Sequence, residues 1–163
     1  MTIKRLQGNV SAVSRRVGIA LSRFNQEVGD GLLGGALRAL RFAKAAGIKR
    51  FVMTSSVADV AYGHGGTKHH FTEADWTNVE SPDAYPYVKS KTIAERAARD
   101  WVAANGGDME FVTVNPSLVL GPLMAPDFST SLEAIKKLLE GSLPGLPSFG
   151  FAIVDVRDVA DLH

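Results

Sequence analysis

Apolar residues follow two alternating patterns along this chain, short continuous runs and longer stretches with helical spacing. Continuous runs of this length are typical of strands that are buried on both faces. These runs are residues 16–22, 50–56, 110–120 and 151–156. Helical spacing, with polar residues on the opposite face, covers residues 30–46, 83–105, 129–140 and 158–163. The pattern therefore predicts four strands that alternate with helices, and Gly47 is the predicted cap that ends the first helix.

This alternation favours an α/β fold. Helical crossovers between parallel strands are right-handed almost without exception, so we expect a partial doubly wound, Rossmann-like parallel sheet with helices on both faces. Ligands of such sheets bind beyond the carboxyl ends of the strands. The rule selects Ser55-Ser56 and Asn115-Pro116-Ser117 as the candidate site before any resemblance is considered.

Charge and composition narrow the class of protein. Lys and Arg total 18 against 17 for Asp and Glu, so neither nucleic acid nor an anionic membrane is expected as a partner. The absence of cysteine excludes disulfides, thiolate metal sites and thiol catalysis. No signal peptide is visible, and no apolar run reaches the roughly 20 residues of a membrane helix. We expect a cytoplasmic protein.

Two tyrosine–lysine pairs with a spacing of four residues lie at the start of the predicted helix 83–105. They are Tyr85 with Lys89 and Tyr87 with Lys91, and spacing alone does not separate them. The helical stripe through the second pair is otherwise apolar, and the stripe through the first pair is polar. The apolar stripe continues through Ala94, Ala98 and Trp101 or Val102, and the polar one through Thr92, Arg96 and Arg99. We therefore predict that Tyr87 and Lys91 face the protein and that the other stripe faces water.

Such a pair has a chemical use. An ammonium close to a phenol favours the phenolate, and a phenol tuned in this way can exchange a proton with a substrate oxygen near neutral pH. A serine hydroxyl at the end of the neighbouring strand could hold that oxygen by a hydrogen bond. Ser55 and Ser56 are the two candidates, because the hydroxyls are adjacent.

Five successive blocks of sequence resemble the extended short-chain dehydrogenase/reductases (NAD-dependent epimerase/dehydratases). Within this family, they resemble the dihydroflavonol reductase-like branch most. The blocks are Phe51–Ala58, Phe71–Trp76, Tyr87–Ala98, Asn115–Pro122 and Val154–Asp161. Several ordered blocks are much more specific than the Tyr/Lys spacing alone. The resemblance covers residues 34–163 and predicts a single incomplete domain over 1–163, with a divergent segment at 1–33 and truncation at both ends.

The resemblance implies a Ser-Tyr-Lys triad of Ser56, Tyr87 and Lys91. Ser56 would orient the carbonyl, Tyr87 would be the general acid/base, and Lys91 would bind the nicotinamide ribose and favour the Tyr87 phenolate. Pro116, Ser117 and Leu118 would line the nicotinamide. The implied reaction is hydride transfer between NADP or NAD and a small carbonyl compound or secondary alcohol. No metal is implied.

The glycine-rich fingerprint of dinucleotide-binding proteins is not found where it should be. Gly29-Asp-Gly31-Leu-Leu-Gly34 has the GxGxxG spacing, but it does not directly follow the predicted strand 16–22, and Lys49-Arg50 stand where an acidic residue is expected. A glycine-rich helix start is the simpler interpretation. The alternative function is therefore a non-catalytic remnant of the reductase fold without a dinucleotide phosphate site. Missing flanking strands would expose a sheet edge, which predicts a homo-oligomer.

Three further patterns occur in the sequence. Val17–Asn25, followed by Gly31–Leu37, resembles the first strand and helix of lumazine synthases, in which Phe24 would stack on the substrate. Three histidines share a glycine-rich loop with Glu73 and Asp75, but their spacing fixes no metal geometry, so loop residues in solvent are the simpler interpretation. The histidines are His64, His69 and His70. A basic stripe of Arg38, Arg41 and Lys44 is read as a solvated helix face.

Overall fold

The computed structural model describes residues 26–66, 68–123, 130–142, 144–145 and 150–163. The predicted strand 16–22 and the lumazine synthase-like residues 17–25, with Phe24, lie outside these ranges. The helices and strands follow one another in chain order. They are α1 (Gln26–Ala45), β1 (Arg50–Thr54), a short 3-10 helix (Val57–Asp59), α2 (Pro86–Asn105), β2 (Glu110–Val114), β3 (Leu118–Leu120), α3 (Thr130–Leu139), β4 (Ile153–Asp155) and α4 (Val156–Leu162).

The glycine-rich sequence 29–34 lies inside α1 and forms no turn after a strand. This agrees with its interpretation as a helix start. The helix ends at the predicted cap: Gly47 has a φ of 69°, and the N–H of Ile48 donates to the Ala43 carbonyl at 2.9 Å. The N–H of Gly47 donates to the Lys44 carbonyl at 3.0 Å, which completes the pattern of a Schellman cap.

Both strand pairs are parallel, as predicted. β1 pairs with β2, with Phe51 opposite Phe111, and β3 pairs with β4, with Val119 opposite Val154. The single predicted strand 110–120 was wrong, because Asn115-Pro116-Ser117 separates β2 from β3. Proline has no N–H to donate to a ladder and therefore interrupts a strand at this position.

The helix α2 begins at Pro86, three residues after the predicted start, since proline favours the first turn of a helix. It packs against α1. The core between these helices and the first ladder contains Leu40, Phe51, Ala98 and Met109. α4 begins at Val156, earlier than predicted, because the Asp155 side chain accepts a hydrogen bond from the N–H of Arg157 at 2.8 Å and caps the helix.

The opposite side of α1 carries its basic stripe. Arg38, Arg41 and Lys44 are exposed, which confirms the prediction of a solvated face. Among the described helices, none combines the length and apolar character needed to cross a membrane.

Candidate active site

Two buried serines follow β1 at its carboxyl end. The N–H of Ser55 donates to the Val114 carbonyl at 2.8 Å, so the ladder extends one residue beyond β1. Ser56 then caps the 3-10 helix, its Oγ accepting a hydrogen bond from the N–H of Ala58 at 3.2 Å. The sequence folds in this way because a serine oxygen satisfies an N–H that the start of a helix leaves without a partner.

The two hydroxyls differ in what they donate to. The Ser55 hydroxyl donates to Oδ2 of Asp59, four residues further along the chain. The Ser56 oxygen acts as an acceptor from Ala58, which leaves its proton for another acceptor. The geometry therefore favours Ser56 over Ser55 as the hydroxyl that can hold a substrate oxygen.

The inward face of α2 is the predicted one. Lys91 is only 8% exposed, Tyr87 is half-buried, and Ala94 and Ala98 are buried in the same stripe. The prediction that Thr92 faces water was wrong, because Thr92 is fully buried and its hydroxyl donates to the Val88 carbonyl at 2.9 Å. Burying a threonine costs little free energy when a carbonyl of its own helix accepts the hydrogen bond from its hydroxyl group.

A cavity opens between α1, β1 and α2. Its polar lining comes from Thr54, Ser55 and Lys91. The remaining lining is apolar and consists of Leu32, Ala36, Ala39, Phe51, Met53 and Ala94. An apolar cavity with a few polar groups at one end is the usual form of a small-molecule site.

In the described part of the chain, Tyr87 is not one of the residues that line this cavity. It packs with Tyr62 against Ala58, two residues after Ser56, and against Val88. Its ring stacks on that of Tyr85, with centroids 6.3 Å apart and an interplanar angle of 20°. Tyr87 therefore packs with the cluster around Ala58, whereas Lys91, one helical turn later, lines the cavity.

The alternative pair of Tyr85 and Lys89 is less suited to proton transfer. Burial, followed by a hydrogen bond with Tyr62, raises the pKa of Tyr85 to about 12. A phenol with such a pKa is a poor proton donor or acceptor near neutral pH. The Tyr85 ring is also 46% exposed.

Two buried acids beside Lys91 were missed in the sequence. Asp59 and Glu95 are 0% and 3% exposed. Burial lowers the pKa of Lys91, and the charges of Asp59 and Glu95 oppose this change. A signal for Glu95 was present, because it lies four residues after Lys91 on the inward face.

The segment predicted to line the nicotinamide lies next to Ser56. The Asn115 side chain donates to the Ser56 carbonyl at 3.1 Å, and the N–H of Val57 donates to the Pro116 carbonyl at 3.2 Å. Ser117 is half-buried, and Leu118 begins β3. The structure therefore brings Ser56 and the segment 116–118 together at the carboxyl ends of β1 and β2.

The three histidines of the loop do not form a cluster. The Nε2 atom of His64 lies 2.8 Å from the Val60 carbonyl oxygen, and its ring lies against Phe71. His69 and His70 are exposed. Within the described part of the chain, no three side chains of metal-binding type come together.

The chain is similar to proteins of one known family. The NAD dependent epimerase/dehydratase family matches residues 24–163. A cinnamoyl-CoA reductase of Medicago truncatula, CAD2, is 41% identical over 145 residues, which cover 84% of this chain and 43% of the relative.

Two solved reductases share the fold. Vestitone reductase from alfalfa superimposes with a TM-score of 0.67 at 29% identity, over 83% of this chain and 45% of the other. Yeast methylglyoxal/isovaleraldehyde reductase Gre2, solved with NADPH, gives a TM-score of 0.70 at 28% identity, over 86% and 47%.

The chain thus spans less than half the length of these relatives. The matches confirm the Rossmann-like α/β fold, and they do not favour the lumazine synthase interpretation. On the family match over residues 24–163 and the identity to a curated reductase, the chain belongs to the NAD-dependent epimerase/dehydratase family.

Proposed function

We propose that the protein is an NAD(P)-dependent oxidoreductase that transfers a hydride between the nicotinamide and a carbonyl or secondary alcohol. The observation that carries this proposal is the placement of Lys91. Its side chain is buried on the inward face of α2, one helical turn after Tyr87, at the end of β1 where Ser56 lies. A buried lysine needs a chemical reason, since burial disfavours its charge.

The three side chains have complementary roles in this proposal. In the direction of reduction, Tyr87 gives its phenolic proton to the substrate oxygen, and the Ser56 hydroxyl donates a hydrogen bond to the same oxygen. The ammonium of Lys91 stabilises the phenolate that Tyr87 leaves behind. Ser55 is a structural residue, because its proton is held by Asp59.

The residues present fit the nicotinamide end of a dinucleotide. Lys91 and Thr54 contribute polar atoms to the lining of a largely apolar cavity, and a ribose hydroxyl can form hydrogen bonds with such groups. Tyr87, Lys91, Pro116, Ser117 and Leu118 would hold this end of NADP or NAD. When bound, the cofactor supplies the hydride. Residues 29–34 do not supply the pyrophosphate turn, because they lie inside α1.

The substrate is proposed to be a small organic carbonyl compound. Names of the similar proteins mention cinnamoyl-CoA, vestitone, methylglyoxal and isovaleraldehyde. Vestitone, methylglyoxal and isovaleraldehyde form a first panel of small carbonyl compounds for a turnover assay with NADPH and NADH, and cinnamoyl-CoA, a large thioester, tests the limit of this class.

The first experiment is a fluorescence titration of the protein with NADPH and NADH. Saturable binding is expected, with an affinity that falls about tenfold or more in Lys91→Ala, because each 1.4 kcal/mol of lost interaction is tenfold. Lys89→Ala is the matched control, since Lys89 is not among the described residues that line the cavity, and this variant should bind the cofactor like the original protein. No saturable binding at about millimolar cofactor would contradict the proposal and favour the non-catalytic remnant.

Turnover assays then test the proposed role of Tyr87 as the general acid. Tyr87→Phe should lower the rate with any active substrate by about 10²–10⁴-fold, the usual contribution of a general acid. Tyr85→Phe removes the neighbouring hydroxyl and keeps the stacked ring, so it should retain most of the activity. Equal losses in the two variants would overturn the assignment of Tyr87.

A further inference from the structure

Asp59 and Glu95 bring two carboxyl groups together in the interior, close to Lys91. Asp59 ends the 3-10 helix after Ser56, and Glu95 lies on α2. The two carboxyl groups lie within hydrogen-bonding reach of each other, and both side chains are almost completely removed from solvent. Two buried carboxylates repel each other strongly when both are ionised, so we expect one of them to carry a proton.

The hydrogen-bond donors around Glu95 indicate that this group is the ionised one. Its Oε1 accepts from Nε of Arg99 at 2.9 Å and from the Thr113 hydroxyl at 3.2 Å. Its Oε2 accepts from the Asn115 side chain at 3.0 Å. Donors on both oxygens are what a buried carboxylate requires.

Asp59 has a different environment. Its Oδ2 accepts from the Ser55 hydroxyl, whereas its Oδ1 is buried and accepts no hydrogen bond from the described residues. An ionised oxygen in that position would lose its hydration without compensation. A carboxylic acid proton that is donated to Glu95 removes this cost.

We propose that Asp59 is a protonated carboxylic acid that donates to ionised Glu95, and that this pair positions Lys91 for the reaction. The role of the pair in positioning Lys91 rests on the proposed oxidoreductase function, whereas the protonation state of Asp59 does not depend on that function. Asp59 and Glu95 are positioning residues, because they act through Lys91 and do not contact the reacting atoms.

The charges near the pair support this distribution. In the described part of the chain, α2 contributes Glu95 and Lys91 near Asp59, and Arg99 acts through Glu95. The residue after β1, the neutral Ser55, donates to Asp59. Burial, together with the hydrogen bond to Glu95, raises the pKa of Asp59 to about 7.

Burial alone would also raise the pKa of Glu95. Hydrogen bonds from Asp59, Asn115 and Arg99 outweigh burial and lower it. Near neutral pH and below, Lys91 therefore faces one negative charge and not two.

Proton loss from Asp59 changes what Lys91 does. As the pH rises through about 7, a second negative charge forms beside Lys91. This charge favours the ammonium but opposes a phenolate at Tyr87, because like charges repel. The pair therefore links the charge at the proposed active site to the ambient pH.

Infrared difference spectroscopy of the cofactor-free protein tests the protonation state directly. A protonated carboxyl has a C=O stretching band that a carboxylate lacks. We expect this band at pH of about 6 and its loss as Asp59 ionises near pH 7. It should be missing in Asp59→Asn and present in Asp75→Asn, a matched control on a half-buried acid whose hydrogen bond with Lys68 lowers its pKa.

The asparagine variant suits this test because its amide can donate to Glu95 and accept from Ser55, as the protonated acid does. In turnover assays, Asp59→Asn should lose the step near pH 7 in the pH profile. A band that is absent from the original protein, or that survives in Asp59→Asn, would overturn the proposal. Missing turnover with the band intact would contradict the oxidoreductase function alone.

Discussion

The Ser55 hydroxyl is bonded to Asp59, while the adjacent Ser56 hydroxyl is free to donate elsewhere. The two neighbouring serines therefore have separate roles. Ser55 joins the end of β1 to the 3-10 helix, and Ser56 is proposed to donate to the substrate oxygen. The hydrogen bond between Ser55 and Asp59 also places a buried acid near Lys91. The folding of this region and the proposed reaction therefore depend on the same few atoms.

Asp59 should make the stability of the fold depend on pH. Its pKa in the folded state, about 7, lies above the ordinary value of 3.8. Its contribution to stability is therefore complete below pH of about 4 and is lost as the pH rises to about 7, by an amount on the order of a few kcal/mol. Urea unfolding of the original protein and Asp59→Asn at pH of about 5 and 8 measures the difference. Parallel pH dependences in the two proteins would contradict this.

Leu40 should be a large contributor to stability, because it is fully buried where α1 meets β1 and α2. Leu40→Ala removes this packing and should lower the free energy of unfolding by about 2–5 kcal/mol. Phe42→Ala is the control on the same helix, since Phe42 is 76% exposed, and it should change stability by less than about 0.5 kcal/mol. Chemical denaturation compares the two, and similar losses would contradict the described packing.

Two glycines with the same backbone conformation should tolerate alanine differently. Gly63 and Gly47 have φ values of 80° and 69°. A Cβ on Gly63 would lie 2.7 Å from Cβ of Asn78, whereas nothing lies within 4 Å of a Cβ on Gly47. Gly47→Ala should therefore cost about 1 kcal/mol, from the conformation alone. Gly63→Ala should cost more, because Asn78 must also move, and a difference in thermal midpoint is the measurement.

A hydrogen bond joins the end of β1 to α4. Nδ1 of His163 lies 2.7 Å from the Val159 carbonyl oxygen, which can only accept, so Nδ1 carries a proton. Nε2 then accepts from the Thr54 hydroxyl at 2.7 Å when the ring is neutral. Thr54→Val, His163→Ala and the double variant form a cycle that should give a coupling of about 1 kcal/mol. Strictly additive losses would show that the contact contributes no stability.

Much of the framework was predictable from apolar spacing, and the errors have physical causes. The inward position of Tyr87 and Lys91 followed from the apolar stripe of α2. Thr92 did not fit the same argument, because a hydroxyl bonded to its own helix behaves as a nonpolar group. The break between β2 and β3 was signalled by Pro116, which an apolar count ignores.

The buried acids were harder to predict. A charged residue on a helix usually faces water, so the position of Glu95 four residues after Lys91 was a weak signal until its donors Arg99, Thr113 and Asn115 were known. These residues come together only through the parallel pairing of β1 with β2 and the packing of α2. Asp59 stands in an apolar run, Val57–Ala61, which was the one local sign that it is buried.

The pairing of β1 with β2 also bears on how the protein reaches its native state. Partners such as Arg50 and Glu110 are sixty positions apart, and α2 lies between them. Helices gain their contacts locally, whereas this ladder gains none until the long intervening segment has closed. We therefore expect α2 to form early and the first ladder late, with the loss of loop entropy at the rate-limiting barrier. Because Ser55, Ser56 and Asn115 take their places with that ladder, the proposed active site is expected to be among the last parts of the molecule to assemble.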